Sequence, residues 1–88
     1  MSDPYANLRK KLEELEWPNV YLFKFIVPNS SELTAKVALL FDDSADLQFQ
    51  PSKNGKYISV SGKEMMMDVD SIIARYHKAG EIKGLIAL

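Results

Sequence analysis

The chain has no cysteine, and its only histidine is His77, in a sequence of 88 residues. Without thiols there is no disulfide, no thiolate metal site and no cysteine nucleophile. A single imidazole excludes a metal centre built from several histidines of one chain. Charge of one sign is also lacking: eleven basic residues face twelve acidic ones, for a formal net charge of -1. That balance argues against holding a nucleic-acid backbone by bulk electrostatics. No apolar run approaches the roughly 20 residues that a membrane span needs. Met1-Ser2-Asp3-Pro4 has neither the positive region nor the apolar core of a signal peptide, so the expected location is cytoplasmic, without a membrane. Catalytic signatures are absent too. No glycine-rich loop, nucleophile motif or carboxylate dyad accompanies His77, Arg9 or Arg75. The expectation is a non-enzymatic protein with no catalytic residue, no metal and no cofactor.

What is present is a strong hairpin. Asn54-Gly55 tolerates the positive φ of a tight turn, and it is flanked by alternating Leu47-Gln48-Phe49 and Tyr57-Ile58-Ser59-Val60-Ser61. Pro51 makes the first of these strands an edge, where a missing amide donor is tolerated. Upstream, Val20 to Val27 alternates Tyr21, Phe23, Phe25 and Val27 against Leu22, Lys24 and Ile26. Apolar residues on both sides mark a central strand with two covered or half-covered faces.

Helices fill the gaps between these strands. Asp3-Pro4 opens one whose stripe is Tyr5, Leu8, Leu12 and Leu15, and Trp17-Pro18 ends it. Ser30 or Ser31 caps a second, with Leu33, Val37, Leu40 and Phe41 inward. The third starts near Asp68 and Asp70, buries Val69, Ile72, Ile73 and Tyr76, and stops at Gly80 as a left-handed cap. Met65-Met66-Met67 reads as its connector, and Ile82 to Leu88 as the last strand.

Residues 1–88 therefore form one domain: an N-terminal helix over 1–16 and a core over 19–88. The order strand-helix-strand-strand-helix-strand predicts a ferredoxin-like α+β sandwich, a four-stranded antiparallel sheet with two helices on one face. Its expected core is Phe23, Phe25, Leu33, Val37, Phe49, Val60, Ile72 and Tyr76. The extra helix needs a seat, and the outer sheet face, with Leu22 and Ile26, is the one expected for it or for a second subunit.

Leu15-Glu16-Trp17-Pro18, the aromatic strand with Lys24, the Pro51–Ser61 hairpin and Tyr76–Ile82 together resemble the YbeD-like family of small bacterial proteins. The resemblance runs over nearly the whole chain after the first helix. It implies an ACT-like regulatory module of unassigned biochemical activity, whose members include some with a lipoate-related regulatory label. Gly62 and Met65–Met67 depart from that pattern, and the chain is one residue shorter around Gly84.

The candidate binding residues are Leu22, Lys24, Ile26, Tyr57, Ser59 and Ser61 on the outer sheet face, with Lys53 at the hairpin tip. A protein partner or self-association is the first reading, and a small-molecule effector at a subunit boundary the second. Single-stranded RNA is the weakest, since Tyr57 is the only ring expected on that face of its strand and the charge is near-neutral. The bland readings are a solvated turn for Lys53, a partly exposed surface residue for His77, and gap-filling for the methionines.

Overall fold

The structure, a computed structural model, describes residues 4–88. Their order is α1 (Ala6–Glu13), β1 (Asn19–Pro28), α2 (Ser31–Ala38), β2 (Asp46–Pro51), β3 (Tyr57–Met66), α3 (Val69–Ala79) and β4 (Ile86–Ala87). The strands form one antiparallel sheet in the order β2-β3-β1-β4, the ferredoxin-like arrangement expected from the sequence.

Alternation along β1 decides the layers. Phe23, Phe25 and Val27 are fully buried under α2 and α3, while Leu22 and Lys24 point outward. Val60, opposite Phe25, continues the inner face, and Val37, Ile72, Ile73 and Tyr76 close it from the helices. Local chemistry fixes where those helices begin. The Ser30 hydroxyl accepts from Leu33 N–H at 3.3 Å, and the Asp68 carboxylate accepts from Ser71 N–H at 2.8 Å.

Gly62 lies on the inner face of β3 under the Phe41 ring. A Cβ there would meet Phe41 Cζ at 2.7 Å and Leu47 Cδ2 at 2.9 Å. The missing side chain lets an aromatic ring lie directly on the sheet, which is what the departure at Gly62 achieves.

Several expectations need correction. The N-terminal helix does not cover the outer sheet face; it packs against α3. Leu12 is buried, Tyr5 Oη donates to Tyr76 O at 3.3 Å, and Arg9 pairs with Asp70 at 2.6 Å. The Tyr5 ring also meets His77 edge-on at 4.7 Å, and Leu15 is left exposed. The Asp3 cap lies outside the described residues. After α1, Trp17 Nε1–H donates to Leu12 O at 2.8 Å, and the Trp17-Pro18 peptide is cis.

The last strand is two residues rather than seven. Turns occupy the preceding stretch, with Ile82 N–H donating to Ala79 O and Leu85 N–H to Ile82 O. Gly80 is right-handed, at φ -63°, because the chain winds on past it instead of reversing. It is Gly84 that takes positive φ, +80°, beside Pro28. Met65 and Met66 belong to β3, not to a connector, and Met66 is buried. Phe49 keeps the inward direction through its pairing with Val60, yet it is 46% exposed, because an edge strand runs out beyond the helices.

Candidate interaction surface

The outer face of the sheet follows from register alone. Across it run Asp46–Lys63–Leu22, then Gln48–Ser61–Lys24, then Gln50–Ser59–Ile26–Ile86, with Val20 beside Met65 at one end and Tyr57 beside Pro28 at the other. Leu88 N–H donates to Lys24 O at 2.9 Å, which sets Leu88 opposite Lys24 in the same row. No described helix packs on this side.

Two halves result. The β2–β3 half is polar: Asp46, Gln48, Gln50, Ser59, Ser61 and Lys63. The β1–β4 half is apolar, with Val20, Leu22, Ile86 and Leu88 all exposed, and Met65 and Tyr57 extend it at the two ends of β3. Leu22 is 52% exposed. Lys24 stands in the middle of the apolar half and forms no ion pair among the described residues. Shallow depressions dent the face; the larger, about 410 Å³, lies between Lys24, Ile26, Gln50, Tyr57 and Ser59.

Of the residues singled out from the sequence, Leu22, Lys24, Ile26, Tyr57, Ser59 and Ser61 come together here. Lys53 does not. It sits in a turn whose polar groups satisfy one another. Asn54 Oδ1 accepts from Lys56 N–H at 3.0 Å and from the Ser52 hydroxyl at 2.8 Å, while Gly55 supplies φ +71°. Val20 and Met65 were missed, while Ile86 and Leu88 belong to the side of the last strand that the sequence assigns to this face without naming its residues. Extending the β1 alternation two residues backwards would have found Val20, and placing Met65 on the strand would have found its neighbour.

Sequence reasoning also missed a polar contact on the inner side. Arg75 grips Glu64 with two hydrogen bonds of 2.8 Å, and Asp42 N–H donates to the same carboxylate at 3.0 Å. The guanidinium lies over the Phe23 and Phe41 rings, 5.1 and 5.4 Å from their centroids. The Arg75 hydrogen bonds hold the Glu64 pKa below the usual carboxylate range despite burial. Glu64 falls on the inner register of β3, after Val60 and Gly62, and a carboxylate there demands a partner; that was the available signal. Nearby, burial first and then the 2.9 Å contact with Tyr21 Oη push the Tyr76 phenol up. Both features lie on the inner side of the sheet, their polar groups engaged by neighbouring side chains. Among the described residues no cluster of three or more metal-ligating side chains exists, and no helix is long and apolar enough to cross a membrane.

Comparison with known proteins adds two findings. The family described as "Protein of unknown function (DUF493)" matches residues 12–86. An uncharacterized protein from Thermotoga maritima has a similar solved structure, at 19% identity and a TM-score of 0.65, covering 80% of this chain and 91% of that one. At that identity the likeness concerns the fold. No curated protein matches the chain.

Proposed function

The chain belongs to the family of proteins of unknown function designated DUF493, the YbeD-like family, and on that premise we propose that it is a non-enzymatic, regulatory protein-interaction module that docks a partner protein on its outer sheet face. One observation carries this reading: the apolar half of that face is contiguous, exposed and uncovered by the chain's own N-terminal helix. Folded proteins seldom leave such a surface bare unless it is used. Supporting it, the buried titratable groups Glu64 and Tyr76 are tied up in packing rather than aimed into a cleft.

The test is capture from native cytoplasm with the wild type, Leu22→Lys, and Leu39→Lys as a control on the helix layer. A partner lost with Leu22→Lys and retained with Leu39→Lys supports the reading, provided circular dichroism shows both variants folded. Equal capture by all three contradicts it.

A second reading, an ACT-type sensor of a small effector, is favoured by the 410 Å³ depression beside Lys24 and Tyr57, whose size falls in the range of small-ligand sites. It requires a metabolite that raises the melting temperature, which partner docking alone does not.

A further inference from the structure

We infer that the occupant of the outer face is an amphipathic helix of another protein, carrying a carboxylate at the centre of its apolar stripe. This rests on the docking reading above and names its partner's chemistry. The apolar track follows β1 and is widened by Met65 and Tyr57 on β3. Beside Lys24 and Ile26, β4 adds Leu88 and Ile86, so the track there is two strands, about 10 Å, wide, the diameter of one helix. From Val20 to Pro28 it runs about 27 Å, which about 18 helical residues span. An added strand would need a sheet edge rather than a face, so a helix or a second sheet are the shapes that fit.

Charge decides the rest. Lys24 lies midway along the track, ringed by Leu22, Ile26 and Leu88, with Ser61 as its other neighbour. Covering it with apolar groups alone would bury an unpaired ammonium, whereas a carboxylate delivered at that point converts the cost into a charge-assisted hydrogen bond. A second copy of this chain related by a two-fold parallel to the strands does not deliver one, since Asp46 lies in the Leu22 row rather than the Lys24 row. A two-fold that lays β1 on its counterpart sets Lys24 against Lys24. A two-fold that lays β1 on β3 of the other copy sets Leu22 against Lys63 and Ile26 against Ser59. Neither arrangement matches apolar with apolar and plus with minus.

The experiment uses nitrogen-15-labelled full chain and two synthetic helical peptides of about 18 residues. Both carry the same leucine stripe, with Glu or Lys at its centre. Amide shift changes should map to Leu22, Lys24, Ile26 and Ser61, and the Glu peptide should bind at least about tenfold tighter. Lys24→Glu should invert that preference, while Lys36→Glu on the helix layer leaves it intact. Binding on this face with equal affinity for both peptides, or with a preference that survives Lys24→Glu, overturns the inference but leaves partner docking standing. Shifts confined to α2 and α3 contradict both. No saturable binding of either peptide, or sedimentation showing a dimer closed through this face, also overturns it.

Discussion

Glu64 and Arg75 meet as a two-pronged ion pair between β3 and α3, each hydrogen bond 2.8 Å long and both side chains largely shielded from water. It is a polar link between sheet and helix layer. Removing one partner leaves the other charge stranded, so Glu64→Ala should lower stability by about 3–5 kcal/mol in denaturant titration. A loss under about 1 kcal/mol means the pair is solvated in practice.

The same pair sets a pH dependence. The folded-state pKa of Glu64 is depressed, so the unfolded chain takes up the proton first as pH falls. The contribution is complete above the ordinary carboxylate value of about 4.3 and disappears as pH drops through the lower folded value. Unfolding free energies measured from pH 6 downward should fall in that acid window for the wild type. In Glu64→Gln this component of the slope should be missing; an unchanged slope assigns acid sensitivity to other carboxylates.

Gly62→Ala should destabilise by about 1–3 kcal/mol, because its methyl group would enter the Phe41 ring and the Leu47 side chain. Combining it with Phe41→Leu should cost less than the sum of the two changes, since the ring that obstructs the methyl group is gone. Simple additivity contradicts the packing described.

Burial separates two phenylalanines of one face. Phe25→Ala should cost about 3–5 kcal/mol, and Phe49→Ala well under half of that. Equal losses by thermal or urea unfolding would show that Phe49 is covered in solution, and hence that the β2 edge is occupied.

The fold was legible because its signals are short-range and agree with one another. Asn54-Gly55, the β1 alternation, a serine cap at Ser30 or Ser31 and the acidic start of α3 at Asp68 and Asp70 each follow from φ preference, period, hydrogen bonding or the helix dipole. What escaped depends on relations between distant segments. The Tyr5-Leu8-Leu12 stripe states that α1 must dock, but only the position of Tyr76, His77 and Asp70 on α3 says where. Ile82 to Leu88 reads as one strand by its apolar residues, yet the hydrogen bonds that continue beyond Ala79 take its first half, Ile82 to Leu85, into turns. The candidate surface was found through its central residues and truncated at its ends, where register, not residue type, decides which side a methionine faces.

The central claim is that the outer sheet face is the docking surface, and the most direct measurement is site-specific photocrosslinking in living cells. A photoreactive residue replaces Leu22 on that face, Tyr57 at its far end, or Leu39 on the helix layer. The account predicts one heterologous adduct from positions 22 and 57, none of it from position 39, and its loss when Lys24→Glu is added. An adduct formed equally from position 39, or no heterologous adduct from position 22, would contradict it.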